Sequence, residues 1–147
     1  MTAIKYPKNQ DLRELVRFSC ETGHIWLAES RMLMLHASAM ALLRRELIQQ
    51  VGPELARNLL TRVGYQSGMN DAEIARKIRG SANPQDAFVV GPQLHMLEGS
   101  VKVIPVRMVF DQAAGQFDGE FLWEGSWEAD AHVRDFGHTD DPMCWMQ

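Results

Sequence analysis

One segment near the end of the chain alternates between aromatic and acidic side chains. Its odd positions carry Phe117, Phe121, Trp123 and Trp127, and its even positions carry Asp118, Glu120, Glu124 and Glu128. A period of two is the side-chain period of a β-strand, because successive side chains point to opposite faces. The pattern therefore predicts a strand over 117–127 with an aromatic inner face and an acidic outer face.

A second strand is predicted just before it. The segment from Val101 to Phe110 is rich in β-branched residues, which favour strands. Pro105 lacks a backbone N–H and indicates an edge position or a bulge. Asp111 to Gln116, with Gly115, predicts the loop of an antiparallel hairpin.

The preceding half of the chain has helical periodicity. One stripe consists of His36, Met40, Leu43, Leu47 and Val51, with Arg44 off the stripe. Gly52-Pro53 predicts the start of a second helix, because Pro suits the first helical position. Gly64 and Gly68 predict a kink or an end, and Asn70–Glu73 is a capping box for a third helix that closes at Gly80. Upstream, Leu12–Cys20 is an apolar element of uncertain type, and Ile25–Leu27 is a short strand or a helix entry.

The fold class that follows is α+β, with N-terminal helices packed on an antiparallel hairpin. The 147 residues suffice for a single domain over 1–147. A net charge of −4 argues against direct nucleic-acid binding. We expect no membrane association and a cytoplasmic location, because the chain has no long apolar run and no secretory signal.

Few residues suggest chemistry. The aromatic face of 117–127 is either the core of a sheet or the wall of a pocket for a flat apolar ligand. His95 follows Gly91-Pro92-Gln93-Leu94 and has no Ser or Cys neighbour to form a nucleophile pair, so we do not expect an enzyme. His132, His138 and Cys144 fit no common zinc spacing, which favours a solvated terminal segment.

Several runs in order along the chain resemble the N-terminal sensory domain of the XylR/DmpR/MopR activators. They are Gly23–Leu33, Arg44–Glu46, Gly64–Gly68, Asp71–Lys77, Gly91–His95 and Asp141–Trp145. Members of that family are sigma-54-dependent activators of aromatic catabolism. Their sensory domain binds phenols or alkylbenzenes and controls the AAA+ ATPase domain that follows it.

The resemblance implies roles for particular residues. His95 and Trp123 would hydrogen-bond a phenolic hydroxyl, and Phe88 and Phe121 would line the ring pocket. Cys144 would match one ligand of the family's structural zinc site, although no cofactor is expected in this chain alone. A small aromatic effector, a homodimer partner and the AAA+ ATPase domain are the implied partners.

The chain ends at Gln147, before the segment that supplies the family's other zinc ligands, the ATPase and the DNA-binding element. We therefore expect a sensory domain that is truncated relative to the family. The alternative function is a structural or dimerisation module that has lost ligand sensing through truncation.

Overall fold

The fold was analysed in a computed structural model that describes residues 11–79, 88–111 and 113–146. The predicted helix end at Gly80 lies outside the described residues. Within the described residues, no helix is both long and apolar enough to cross a membrane.

The N-terminal region forms a small antiparallel sheet. A 3-10 turn at Leu12–Leu15 is capped by the Asp11 side chain and leads into β1 (Val16–Ser19), β2 (His24–Leu27) and β3 (Ser30–Met32). The strands lie in the order β1-β2-β3. Of the two interpretations of Ile25–Leu27, the strand is confirmed, but the sheet as a whole was not predicted because its strands are too short to show a period.

Two long helices follow, α1 (Ala37–Val51) and α2 (Pro53–Arg79). Gly52 separates them with φ +80°, and Pro53 begins α2 as predicted. The expected end at Gly64 or Gly68 is wrong, because α2 continues through both glycines. A glycine inside a helix costs only about 1 kcal/mol relative to alanine, an amount that tertiary packing readily outweighs.

Helix α1 does not bury the predicted stripe. Leu43 is 58% exposed, whereas Arg44, which lies off the stripe, is 2% exposed. The apolar period misses this face because the buried position is filled by a charged side chain with a buried partner, Glu128 of the last described helix.

The second half contains α3 (Val90–Leu97), β4 (Lys102–Asp111), β5 (Gln116–Glu124) and α4 (Trp127–Phe136). Strands β4 and β5 form the predicted antiparallel hairpin, with a register shift between Pro105 and Arg107. This shift confirms the predicted irregularity at Pro105. The α+β fold class is confirmed as well.

Strand β5 is shorter than the predicted 117–127. It ends at Glu124, Gly125 adopts φ +65°, and the Ser126 hydroxyl caps α4 by accepting a hydrogen bond from the Ala129 N–H. Trp127 is therefore helical, and Glu128 is completely buried rather than on an acidic outer face. The residues after the strand happen to continue the alternation of aromatic and acidic side chains, although they no longer belong to the strand.

Two hydrophobic clusters form the core. The first joins the N-terminal sheet, α2 and α3 through five buried residues: Leu12, Leu27, Ala75, Val90 and Leu94. The second joins Ala56 and Leu60 of α2 to Trp145. Helix α2 contributes to both clusters, and its residues also line the cavities described next.

Candidate functional site

All four side chains expected to contact an aromatic ligand line one cavity. This cavity, termed the aromatic cavity, has a volume of about 290 Å³ and lies between α2, α3 and the β4–β5 hairpin. Its aromatic and imidazole lining consists of Phe88, His95, Phe121 and Trp123. Small-molecule pockets typically measure about 300–1,000 Å³, so this volume suits a small ligand.

The aromatic wall comes mainly from β5. Phe121 and Trp123 are two residues apart and therefore point to the same face of the strand. Gly119 lies on that face too, and a Cβ atom there would be 2.5 Å from Phe117 Cζ and 3.0 Å from Phe121 Cε2. The glycine thus gives both neighbouring rings room to lie over the strand.

The polar end of the aromatic cavity is formed by Asp71 of α2 and His95 of α3. Burial raises the pKa of the Asp71 carboxyl, and the nearby His95 opposes part of that rise. Among the described residues, neither the His95 ring nor the Trp123 indole N–H has a protein hydrogen-bond partner in the structure. An imidazole and an indole donor are thus both available at this cavity.

A second cavity of about 530 Å³ adjoins the first, and the two share Gly68, Asp71 and His95 in their linings. Glu98, at the end of α3, also lines the second cavity. Burial, followed by the charge of Asp71, raises the pKa of Glu98 to about 7. The boundary between the cavities therefore carries two polar side chains, Asp71 and His95.

Asp71 and Glu98 were not recognised as site residues from the sequence. Asp71 was interpreted only as part of a capping box, a role excluded by the continuity of α2. A detectable signal was present, because small residues recur at helical spacing along the face of α2 that carries Asp71. They are Gly64, Gly68, Ala72 and Ala75, and the last three line the aromatic cavity.

Two of the candidate metal ligands near the C-terminus, His132 and Cys144, have other partners. The Cys144 thiol lies 3.2 Å from the Ser126 hydroxyl, and His132 Nδ1 lies 3.0 Å from Arg44 Nη2. No group of three or more His, Cys, Asp or Glu side chains within the described ranges could hold a metal ion. The described residues around Cys144 therefore do not form a complete zinc site.

Comparison with known proteins gives one consistent result. Residues 11–111 match the family model described as "activator of aromatic catabolism". The chain is 40% identical over 137 residues to the phenol regulator MopR of Acinetobacter guillouiae, covering 93% of this chain and 24% of MopR. It is 42% identical over 142 residues to the transcriptional regulatory protein XylR of Pseudomonas putida, covering 97% of this chain and 25% of XylR.

A solved structure shares the fold. The phenol-responsive sensory domain of the transcription activator PoxR, crystallised with phenol, superposes with a TM-score of 0.85 at 44% identity. The match covers 92% of this chain and 68% of that domain. The chain spans about a quarter of the length of the curated relatives that it matches. On these grounds it belongs to the XylR N-terminal family of activators of aromatic catabolism.

Proposed function

We propose that this chain is a single effector-sensing domain, spanning residues 1–147, that binds a small phenol in the aromatic cavity. The observation that carries the proposal is the meeting of three aromatic side chains and one imidazole around a single cavity of suitable size: Phe88, Phe121, Trp123 and His95. The similarity to a phenol-responsive domain supports the same class of ligand. The role is regulatory rather than catalytic.

The proposed complex pairs each part of a phenol with a matching protein group. The ring lies against Phe88 and Phe121, where burial of apolar area provides most of the affinity. The indole N–H of Trp123 can only donate a hydrogen bond, so it donates to the phenol oxygen. A neutral His95 ring nitrogen can accept a hydrogen bond from the phenol O–H, so the hydroxyl group both accepts and donates a hydrogen bond.

We propose that, in the complete protein, phenol binding to the sensory domain controls a downstream AAA+ ATPase domain. We also propose that the sensory domain is a cytoplasmic homodimer and that it does not itself contact DNA or membrane. The support is that the relatives are named as regulators and that this chain corresponds to a quarter of their length. In that larger protein, Cys144 contributes to a zinc site whose other ligands lie outside the described residues.

A structural or dimerisation module is the second candidate. It is favoured by large apolar side chains that α1 and α2 leave exposed, namely Leu42, Leu43, Leu55 and Leu59. Such a group of exposed side chains is typical of a surface that packs against protein. Ligand binding separates the two functions, because a module of this kind does not need to bind phenol.

Isothermal titration with phenol tests the proposal, with cyclohexanol as the non-aromatic control. We expect saturable phenol binding with a dissociation constant no tighter than micromolar, about −8 kcal/mol. Cyclohexanol, which has the hydroxyl but no aromatic face, should bind more weakly. If phenol does not bind at millimolar concentration, the sensing function is wrong and the structural module is favoured.

A further inference from the structure

A buried charge pair joins α1, α4 and the last described residues. Arg44 and Glu128 are 2% and 0% exposed, and Arg44 Nε donates to Glu128 Oε1 at 3.1 Å. Arg44 Nη2 also donates to the Met143 carbonyl oxygen at 3.1 Å. The other carboxylate oxygen, Glu128 Oε2, accepts the Met146 N–H at 2.9 Å. The pair thus holds both ends of the segment Met143–Met146, termed the C-terminal segment.

The middle of the C-terminal segment is held by Trp145. Its ring lies under the Arg44 guanidinium, 4.1 Å from carbon to ring centroid, and its indole N–H donates to the Pro142 carbonyl at 2.6 Å. The side chain is buried with Ala56 and Leu60 of α2. The segment is therefore fixed by packing as well as by hydrogen bonds.

The end of the segment lies directly on α2. A Cβ atom at Gly64 would be 2.5 Å from the Met146 carbonyl oxygen and 2.8 Å from its Cα. Backbone atoms cannot move aside as a flexible side chain can, so only glycine permits this approach. Met146 also lines the second cavity, together with Gly64.

We propose that the C-terminal segment is a specificity-determining wall that limits the size of the aromatic ligand. The inference rests on the proposed function, because it concerns phenols bound at His95 whose substituent extends past the shared boundary at Gly68 and Asp71 into the second cavity. An apolar substituent is the class tested, since Leu33, Val63, Trp127 and Met146 line the second cavity, which also has a polar lining of Ser67, Asp71, Glu98 and Ser100.

Arg44 and Glu128 act as positioning residues in this proposal. A buried ion pair adds little net stability, because removing two charges from water costs about as much as their attraction returns. The pair instead fixes the position of the C-terminal segment, because its hydrogen bonds end on two specific backbone atoms, the Met143 carbonyl oxygen and the Met146 N–H. Apolar packing alone would leave the position of those atoms less defined.

One glycine variant and one control variant test the wall. Gly64→Ala places a methyl group against the Met146 backbone and should displace it outward. Thr61→Ala is the control, because Thr61 is exposed on the same helix and lines neither cavity. Both variants are titrated with phenol and with para-ethylphenol, and the ratio of the two dissociation constants is compared with that of the unmodified chain.

We expect the ratio of the para-ethylphenol to the phenol dissociation constant to fall in Gly64→Ala, by about fourfold for each additional methylene group that becomes buried. The ratio should be unchanged in Thr61→Ala. A general loss of structure would weaken both ligands and leave the ratio unchanged. Met146→Ala shortens a side chain of the wall without moving the backbone and should also lower the ratio. This variant replaces Gly64→Ala in the test if Gly64→Ala does not fold.

The outcomes separate this inference from the proposed function. If the unmodified chain binds phenol and the ratio is unchanged in both Gly64→Ala and Met146→Ala, the C-terminal segment is not a wall of the ligand site. If the unmodified chain does not bind phenol, the proposed function is wrong, and the inference that rests on it is overturned with it.

Discussion

The ring of Phe88 packs against the ring of Phe117, with centroids 4.0 Å apart and planes inclined by 42°. Phe88 lines the aromatic cavity, whereas Phe117 does not. The contact joins the start of β5 to Phe88, which precedes α3. Phe117 therefore supports the cavity wall from outside the cavity.

We expect Phe117→Leu to weaken phenol and toluene binding by the same factor. The change removes an aromatic pair worth about 0.5–1.5 kcal/mol and loosens Phe88 without touching any polar group. Calorimetric titration with both ligands measures the effect. Phe110→Leu is the control, because the Phe110 ring packs near Phe117, at 6.3 Å between centroids, but among the described residues makes no ring contact with Phe88. A loss confined to phenol would show that Phe117 acts in some other way.

Trp123→Phe should weaken phenol binding by about 1 kcal/mol or more and leave toluene nearly unaffected. The change keeps an aromatic ring and removes the indole donor, and a hydrogen bond of this kind contributes about 1 kcal/mol. Titration of the variant with the two ligands decides the role. Equal losses for both would mean that Trp123 provides only packing.

His95→Ala should be more damaging to phenol binding than Trp123→Phe. It removes the proposed hydrogen-bond acceptor and also leaves a void, whose cost depends on how far the site relaxes. His95→Gln is the variant for comparison, because its amide oxygen can still accept a hydrogen bond. Phenol affinity should recover partly in His95→Gln. If the two variants bind phenol equally, the imidazole nitrogen does not contact the hydroxyl.

Stability should depend on pH through Glu98. Its pKa rises from the ordinary 4.5 to about 7 on folding, so the protonated carboxyl is favoured in the folded state. This contribution is complete below pH 4.5 and is lost as pH rises through about 7. Because the side chain is partly exposed, water screens the effect, and we expect a loss of about 1 kcal/mol.

Urea unfolding from pH 4 to 8 measures this loss as a difference between the chain and its Glu98→Gln variant. The variant should become the more stable of the two as the pH rises through neutrality. Glu120→Gln, on the exposed face of β5, is the control and should track the unmodified chain. A pH-independent difference for Glu98→Gln would contradict the raised pKa.

The sequence predicted the elements whose periodicity reflects burial directly. The alternation around Phe121 placed β5 and its aromatic face correctly, and Pro105 marked the irregularity of β4. The grouping of His95 with Trp123 came from family resemblance rather than from any pattern, because the two residues lie on different elements whose approach depends on the packing of α3 against the hairpin.

Other features depend on tertiary contacts that no local pattern encodes. Arg44 and Glu128 are 84 positions apart, and each would be assigned to the surface without the other. Gly64 indicated a helix break, yet its role is to admit the Met146 backbone. In these cases the sequence shows the type of residue but not the distant residue that it contacts in the fold.

The continuity of α2 has a thermodynamic consequence. Its first half supplies Ala56 and Leu60 to one hydrophobic cluster, and its second half supplies Ala75 to the other. Neither cluster can lose its packing without exposing part of the same helix, and helix formation is itself cooperative. The two halves of the domain should therefore melt together, and differential scanning calorimetry should record one transition whose van't Hoff and calorimetric enthalpies agree.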